Sequence, residues 1–299
     1  MEELAIVEHE KLVAEEKWVA YITSLQNDFD DLEINKERAK RRIRDALQES
    51  VKQAIVNTTF GIMFSGGVDS SLLALLVQQH TKDFTCYTVG VEDAEDVSVS
   101  KEIAAAYGLK HKVKLLGMDE VEALTQEMVK LLGTDVVLVS VGAVEYAVSE
   151  LAKQDGVTIL LGGLGAEELF CGYQRHGEAM KDGYSLVHAE CWKGLKGMWQ
   201  RDLARDFKVM QTAGIEFRAP FLAKQVIVEG MRLHPMFKID ASNNKLIIRE
   251  IAESLGLRKE FANRKKRAAQ YGSGFDKALE KLAKLKGFDG KKKYLESLQ

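Results

Sequence analysis

Residues 62–77 read IMFSGGVDSSLLALLV, and this stretch determines the fold around it. Its first apolar run stops at a pair of glycines, and an apolar helical pattern starts after the Asp-Ser-Ser triplet. That order predicts a strand, a tight turn and a helix N-terminus. Glycines let the backbone approach a bulky anion closely, and the first amides of a helix point outward at the positive end of its dipole. The loop is therefore predicted to hold phosphate oxygens.

The same loop differs from two common phosphate-binding motifs. The Walker A motif needs a Lys-Ser/Thr pair after its last glycine, and the dinucleotide fingerprint needs three glycines spaced Gly-x-Gly-x-x-Gly. A turn with capping serines and no ligand would need neither two glycines nor an aspartate. Asp69 alone would repel phosphate, so we expect it to bind a Mg²⁺ ion that bridges to the phosphates. The predicted pyrophosphate pocket consists of Phe64, Ser65, Gly66, Gly67, Asp69, Ser70 and Ser71.

The composition of the 299 residues is that of a globular protein, with 46% hydrophobic and 29% charged residues. No apolar run has the length of a membrane span, and the charged N-terminus lacks a secretory pattern. The three cysteines are far apart, which predicts a reducing cytoplasmic setting and argues against a cysteine metal site. Residues 245–299 carry 15 Lys/Arg and 7 Asp/Glu, so an anionic partner is expected there, either a triphosphate or RNA.

Strand and helix patterns alternate after residue 60. Strands are predicted over residues 61–64, 84–91, 112–116 and 157–161. Helices are predicted between and after these strands, over residues 68–80, 98–107, 119–131 and 142–153. This alternation is typical of an α/β fold with a doubly wound, mostly parallel sheet.

The regions on either side of this core are predicted to be helical. Residues 1–50 show helical spacing throughout, with Asn35 as the cap of a helix that reaches about residue 56, and residues 185–285 are also mostly helical in pattern. The chain is therefore divided into three predicted parts. These are an N-terminal helical segment over 1–56, an α/β core over 57–180, and a mostly helical C-terminal part over 181–299 that completes the site.

Two further loops follow predicted strands, at the edge where an open parallel sheet binds ligands. After Val89, Gly90 would let an adenine ring approach the backbone. Residues 162–173 read GGLGAEELFCGY, with three glycines before the pair Glu167-Glu168 at a helix start. Carboxylates at a helix N-terminus are also ordinary capping residues. The glycines nevertheless favour a loop that faces phosphate or substrate, and Gly163 is included in the predicted nucleotide site.

The motif Ser-Gly-Gly-x-Asp-Ser resembles the pyrophosphate-binding loop of the N-type ATP pyrophosphatases. Together with its other motifs, the chain resembles the synthetase domain of glutamine-dependent asparagine synthetases, from about residue 42 to about residue 274. Residues 162–173 align without gaps with that family's second loop, Ser-Gly-(Asp/Glu)-Gly-x-Asp-Glu-(Leu/Val)-Phe-Gly-Gly-Tyr. Residues 214–222, 245–249 and 264–272 are similar to its Gly-(Ile/Val)-Glu-x-Arg-x-Pro-Phe-Leu, Lys-x-x-(Ile/Leu)-Arg and Arg-x-Lys-x₅-Gly motifs.

The resemblance implies an adenine nucleotide α-hydrolase-like fold, with an ATP-pyrophosphatase core, and an AMP-forming ligase that uses ATP and Mg²⁺. Such an enzyme adenylates a carboxylate with release of pyrophosphate, and then transfers the acyl group to ammonia or an amine. By resemblance Lys266 supplies the catalytic cation, with Arg249 or Arg264 assisting, while Asp69 and Glu167 hold Mg²⁺. The alternative role for Lys266 is a structural salt bridge.

The chain departs from the family pattern where the acceptor should bind. Leu164 stands at an acidic position of the second loop, Glu167 replaces an aspartate, and Ser140 aligns near an expected arginine. These changes argue against aspartate as the substrate. The segment ahead of residue 62 is too short for the family's glutaminase domain, so nitrogen is expected from ammonia, an amine or a separate glutaminase subunit. Glu216 and Arg218 are expected to form an architectural ion pair.

Two alternatives stay open on the sequence alone. An ATP-dependent tRNA-modifying enzyme of the same nucleotide fold fits the basic C-terminal part, although the cysteine spacing argues against its sulfur-transferring branch. A catalytically degenerate nucleotide-binding homologue fits Leu164. The expected partners are small-molecule carboxylate and amine substrates and a second copy in a homodimer, with nucleic acid less favoured and no membrane.

Overall fold

A computed structural model describes residues 6–8, 11–27, 31–55, 59–265 and 267–299. Two short strands, β1 (Val7–Glu8) and β2 (Lys11–Leu12), form an antiparallel hairpin. Five parallel strands form the central sheet, namely β3 (Phe60–Met63), β4 (Thr85–Gly90), β5 (His111–Leu115), β6 (Ile159–Leu161) and β7 (Glu216–Arg218).

The order of the strands across the sheet is β5-β4-β3-β6-β7. From β3 the chain adds β4 and β5 on one side, and then returns to place β6 on the other side of β3. The register pairs Ile62 with Cys86 on one neighbour and with Leu161 on the other. The predicted doubly wound, parallel α/β fold is thereby confirmed. The order of the strands reverses between β3 and β6, where such sheets form a crevice beyond the strand ends.

Sixteen α-helices lie within the described residues and connect or cover these strands. They are α1 (Glu15–Asn27), α2 (Lys36–Ala54), α3 (Val68–Gln78), α4 (Glu95–Tyr107), α5 (Met118–Leu132), α6 (Val136–Lys153), α7 (Ala166–Leu169), α8 (Gln174–Met180), α9 (Tyr184–Met198), α10 (Ala204–Ala213), α11 (Lys224–Arg232), α12 (Leu246–Ser254), α13 (Lys259–Ala262), α14 (Ala269–Gly272), α15 (Phe275–Leu285) and α16 (Lys291–Glu296). A π-helical turn over Trp199–Leu203 joins α9 to α10, and 3₁₀ turns occupy Pro220–Leu222 and Pro235–Phe237.

The sheet separates two hydrophobic cores, because successive strand residues point to opposite faces. Ile159 and Leu161 belong to the core formed with α2, α3, α11 and α12. Leu160, between them, belongs to the core formed with α5, α6, α10 and α15. All three side chains are buried, as expected for a central strand of a parallel sheet.

The N-terminal segment is only partly helical. The prediction of helix throughout residues 1–50 is wrong for β1 and β2, because these residues pair as a hairpin; residues 1–5, 9–10 and 28–30 lie outside the described part. Asn35 caps α2 as predicted, since its side chain accepts from the Arg38 amide at 3.0 Å. Ile43, Leu47 and Val51 of α2 are fully buried in the first core. This helix therefore packs on α3, α11 and α12 over the first core.

Two further elements differ from their predicted form. β7 was not predicted, because three residues are too few to show an alternating pattern. Helix α6 begins at Val136, earlier than expected, where the Asp135 side chain accepts from the amides of Val137 and Leu138. The divisions of the chain at residues 56 and 180 stay predictions. Among the described helices, none alone is long and apolar enough to cross a membrane; the strongly bent pair α5 and α6 passes that test only together.

Trp18 fixes α1 to α9. Its side chain is fully buried, and its indole Nε1 donates to the Leu195 carbonyl at 2.8 Å. We predict that Trp18→Ala lowers the free energy of unfolding by about 3–5 kcal/mol, because it removes a large buried ring and leaves a buried carbonyl without its donor. Urea denaturation measures this loss. Glu16→Gln, on the exposed face of the same helix, should change it by less than about 0.5 kcal/mol, and equal effects of the two substitutions would contradict the assignment.

Candidate active site

The loop between β3 and α3 has the predicted strand–turn–helix geometry. Gly66 has a φ of +66°, a left-handed conformation that glycine adopts without strain, and Gly67 is the N-cap of α3. The Gly67 amide donates to Ser65 Oγ at 3.3 Å, and Ser70 Oγ donates to the Gly67 carbonyl at 3.1 Å. These bonds close the turn. The loop leads into α3, and because most residues of this helix are buried, that end of the loop is held in place.

The loop after β6 packs directly on the start of α3. A Cβ added to Gly162 would lie 2.5 Å from the Phe217 ring, and one added to Gly163 would lie 3.1 Å from Asp69 Cβ. Gly165 has a φ of +95° and caps α7. Gly163 therefore permits the close approach of the two loops, in which Glu167 of α7 and Asp69 of α3 lie near each other.

Lys245 joins these two carboxylates. Its ammonium Nζ lies 2.6 Å from Asp69 Oδ2 and 2.6 Å from Glu167 Oε1, and its side chain is only 5% exposed. Burial alone would lower the pKa of Lys245, but the two carboxylates outweigh it and hold the pKa above its ordinary value. Sequence reasoning missed this residue. The signal for it is its place as the first residue of the Lys245–Arg249 motif.

The two predicted metal ligands therefore lie together, with a lysine between them. Asp69 Oδ1 and Ser71 Oγ are buried and have no hydrogen-bond partner among the described residues. An unpaired carboxylate oxygen and a hydroxyl are hard oxygen donors of the kind that Mg²⁺ prefers. In the described part of the chain, no group of three or more His, Cys, Asp or Glu side chains is placed so that it could hold a metal ion by itself. The donor set thus fits an ion that takes few protein ligands and completes its shell with phosphate and water, as Mg²⁺ does.

A cavity of about 360 Å³ opens between the two loops. Seven of the predicted site residues line it, namely Phe64, Ser65, Asp69, Ser70, Val89, Gly163 and Glu167. Five other predicted residues are not part of its lining, namely Gly66, Gly67, Ser71, Gly90 and Arg249. The cavity lies beyond the carboxyl ends of the strands at the reversal of strand order, as predicted for a ligand site.

Gly90 and Arg249 are in contact with backbone atoms of other segments of the chain. A Cβ on Gly90 would lie 3.0 Å from the Ser273 carbonyl oxygen, so this glycine permits close packing of the chain itself. The Arg249 guanidinium donates to the carbonyls of Asn244 (2.7 Å) and Ala262 (2.6 Å). It borders a second cavity of about 460 Å³. The nucleotide roles of both residues stay predictions.

Lys266 lies outside the described residues, but its neighbours flank the cavity. Arg264 Nη1 donates to the carbonyls of Ser65 (3.4 Å) and Gly66 (3.3 Å), and Arg264 Nη2 lies 2.9 Å from Asp96 Oδ1. Ala268, Ala269 and Gln270 line the cavity. The described residues on either side of Lys266 therefore contact the phosphate loop at Arg264 and line the cavity from Ala268 onwards.

The far end of the cavity is formed by α6, α10 and the π-helical turn. Leu164, at the family's acidic position, is half-buried in the wall. Charged side chains also reach the cavity here, namely Glu145, Arg201, Asp202, Arg205 and Asp206. The extra residue of a π-helical turn rotates the following helix, and such turns are common at functional sites. Sequence reasoning did not single out these residues, because they belong to no motif.

The Asparagine synthase family model matches residues 42–185 and 178–293 of this chain. The chain belongs to this family. The resemblance drawn from five sequence motifs is thereby confirmed. Glu216 and Arg218 of the third motif form the expected ion pair, with Nε 2.7 Å from Oε1.

Named relatives share much of the chain. A protein of Methanocaldococcus jannaschii named asparagine synthetase 1 (glutamine-hydrolyzing) is 30% identical, over 88% of this chain and 56% of the relative. Asparagine synthetase B of Escherichia coli K12 is 26% identical over 72% of this chain and 42% of the relative. The chain thus spans about half the length of these relatives. NMN synthetase from Francisella tularensis is a structural neighbour with a TM-score of 0.34 and 16% identity, over 71% of this chain and all of that one.

Gly172 leaves the space in which the ion triad of Asp69, Lys245 and Glu167 forms. An added Cβ would lie 1.4 Å from Glu167 Oε2 and 2.5 Å from Lys245 Cε. We predict that Gly172→Ala displaces both side chains and lowers the free energy of unfolding by about 1–3 kcal/mol, measured by thermal denaturation. Gly197→Ala is the matched control, because nothing lies within 4 Å of its added Cβ and α9 favours alanine there. Equal stability of the two variants would disprove the crowding.

His111 supports the cavity wall at Phe64. Its Nε2 lies 2.8 Å from Thr88 Oγ1, and that hydroxyl donates to the Phe64 carbonyl. Burial, with a smaller effect of the Lys101 charge, lowers the pKa of His111 to about 4 from 6.5. Between these values the unfolded chain binds a proton that the folded protein does not.

We therefore predict that the contribution of His111 to stability increases as the pH rises from about 4 to about 6.5, by about 1–2 kcal/mol after allowance for solvent screening of the half-buried ring, as a difference between the wild type and His111→Gln. Denaturation midpoints across this pH range measure the increase. In His111→Gln the amide keeps a polar group near Thr88 but does not titrate. An unchanged pH profile in this variant would show that His111 is not the source.

Proposed function

We propose that the chain is an asparagine synthetase-like, AMP-forming carbon–nitrogen ligase. A carboxylate oxygen of the substrate attacks the α-phosphorus of ATP and gives an acyl-adenylate and pyrophosphate. Ammonia or an amine then attacks the acyl carbon, so that an amide forms, AMP leaves and one proton is released. The nitrogen arrives as free ammonia, as an amine substrate or from a separate glutaminase subunit.

The observation that carries this proposal is the meeting of Asp69 and Glu167 over one cavity. They come from loops after two neighbouring parallel strands, at the reversal of strand order. A binding protein would need only the glycine loop and the helix amides to hold a phosphate. The buried Asp69 and the partly exposed Glu167 carry one more negative charge than Lys245 neutralises, so phosphate binding is unfavourable unless a further cation accompanies it. MgATP satisfies this requirement.

The residues of the site have distinct roles in this proposal. Asp69 and Glu167 would hold Mg²⁺, which when bound neutralises charge on the pyrophosphate and on the two carboxylates. Lys245 keeps these carboxylates together and places a buried cation beside the phosphate loop. Lys266, by resemblance, stabilises the negative charge that develops at the α-phosphate. Cations fixed before the reaction are effective here because they need no reorganisation in the transition state.

ATP–pyrophosphate exchange with purified protein and Mg²⁺ tests the proposal. We predict exchange that depends on one carboxylate in a panel of small acids, with aspartate a poor member. Asp69→Asn and Lys266→Met should each lower the rate by about 100-fold or more, because each removes charge that the transition state requires. Lys292→Ala, at an exposed lysine of α16, should retain the rate.

The products distinguish the alternatives. AMP and pyrophosphate support the ligase, whereas ADP and phosphate would overturn it. Exchange that requires tRNA and weakens steeply with salt would instead assign the tRNA-modifying alternative. ATP binding without exchange for any acceptor, alone or with an added glutaminase and glutamine, would assign a nucleotide-binding homologue without catalysis.

A further inference from the structure

The end of the cavity away from the phosphate loop is surrounded by more buried acids than bases. Four carboxyl groups and two guanidinium groups meet there, which gives a formal charge of −2; they are Glu145, Glu168, Asp202 and Asp206, with Arg201 and Arg205. All four acids are less than one-tenth exposed. An excess of buried negative charge is costly in a folded protein unless a cation or protons accompany it.

The two arginines are already engaged by these acids. Arg205 Nη2 lies 3.3 Å from Glu145 Oε1 and 2.5 Å from Asp206 Oδ1, and Arg205 Nη1 lies 3.4 Å from Asp202 Oδ1. Arg201 Nη2 lies 2.7 Å from the other oxygen of Asp202 and also pairs with an acid of α7. A substrate carboxylate entering this end would therefore compete with acids already in place. The arrangement does not favour an anionic substrate group.

One buried acceptor that lines this cavity, Gln270 Oε1, has no hydrogen-bond partner within the described residues. Asp206 Oδ1 differs from it, because Arg205 is its ion-pair partner. Gln270 is independent of the acidic cluster, because it belongs to α14, which packs against α6. Its side chain is 6% exposed and lines the same cavity. An amide oxygen left without a donor inside a cavity indicates a ligand that donates hydrogen bonds.

The walls beside this cluster are apolar. One face of α6 contributes Val141, Val144 and Val148 at helical spacing. The loop after β6 adds Leu164, and strand β7 adds Phe217. Leu164 stands where the family pattern has an acid. A ligand that satisfies both the walls and the acceptors has an aliphatic or aromatic stem and a donor group at its end.

We propose that this end of the cavity binds the protonated amino group of a small organic substrate with an apolar stem, and that Asp206 and Glu145 are its anionic partners. The proposal rests on the ligase function above, of which it names the class of one substrate. It makes a dicarboxylate such as aspartate a poor fit. Asp206 and Glu145 thus determine specificity through charge.

Protons take the place of this cation when the site holds no substrate. Burial, followed by the charge of Glu145, raises the pKa of Asp206 well above its ordinary value. The charged groups around it are Glu145 of α6, Arg205 of α10 and Asp202 of the π-helical turn, with Arg201 and the α7 acid Glu168 beyond them. A bound ammonium would replace the proton on this cluster. Binding should therefore release a proton, and affinity should rise with pH while the cluster is protonated.

Calorimetric titration of the protein saturated with Mg²⁺ and a non-hydrolysable ATP analogue tests this inference. The ligands are straight-chain alkylamines of three to six carbons and the alkanoates of the same length. An alkylamine stays protonated over pH 6–8, like a lysine side chain. We expect the best amine to bind at least about tenfold more tightly than its matched acid. Titrations in two buffers of different ionisation heat should show proton release, with tighter binding at pH 8 than at pH 6.

Variants that each remove one negative charge test which residues cause the preference for an amine. Asp206→Asn and Glu145→Gln keep the side-chain shape and should each lower the amine-to-acid preference by about tenfold. Asp289→Asn is the matched control, because that side chain is 97% exposed and pairs with Lys293 of α16 at the surface. If one buried variant fails to fold by thermal denaturation, the other variant and the wild-type comparison of amine with acid decide the question.

Three results would overturn the inference. They are equal binding of amine and acid, no binding of any amine by the wild-type protein, and an unchanged preference in both folded variants. The outcome is separable from that of the ligase proposal. Pyrophosphate exchange without amine binding would contradict the specificity assignment and leave the ligase proposal intact. Amine binding without exchange for any carboxylate would contradict the ligase proposal and leave the amine site intact.

Discussion

One buried ammonium holds two carboxylates from separate loops, and the geometry of the site depends on this ion triad. Asp69 follows β3, Glu167 follows β6, and Lys245 precedes α12. Without the lysine these two acids, each 2.6 Å from its Nζ, would repel each other. Loss of Lys245 would leave both carboxylates uncompensated, with Asp69 buried, at a cost of about 3–5 kcal/mol. The triad therefore orders three distant elements before any nucleotide binds, and less entropy is lost on binding.

The sheet order explains why these loops can meet. Because β6 returns to lie beside β3, the two loops leave the sheet side by side, at strands hydrogen-bonded to each other. Their closest approach requires the absence of side chains at Gly163 and Gly172. A glycine that no local turn requires therefore indicates a close contact between two elements. In this chain they mark the contact of the second loop with α3 and the space used by Glu167 and Lys245.

Local features of the site could be predicted from the sequence, and contacts between distant segments could not. The loop over 65–71 and the Asn35 cap depend on a few consecutive residues, and both have the expected geometry. Lys245 meets Asp69 across 176 positions, and no pattern of spacing indicates that distance. Arg249 lies in a recognised motif, but its guanidinium faces backbone carbonyls. The charge of a side chain can be read from sequence, whereas its direction depends on packing.

The two ends of the cavity differ in charge, and this difference bears on whether the chain is an active ligase. Cations border the phosphate loop at Lys245 and Arg264, while the end lined by Asp206 has an excess of acids. Leu164 alone would suggest a site that has lost its acceptor chemistry. However, an inactive homologue gains nothing from burying several acids around one guanidinium, since apolar residues of similar size would be at least as stable. Buried charges that lower stability in this way are expected at functional sites. If the chain is the proposed ligase, the acids of α6 and α10 take the place of the acid that the second loop lacks, and a substrate of different charge is expected.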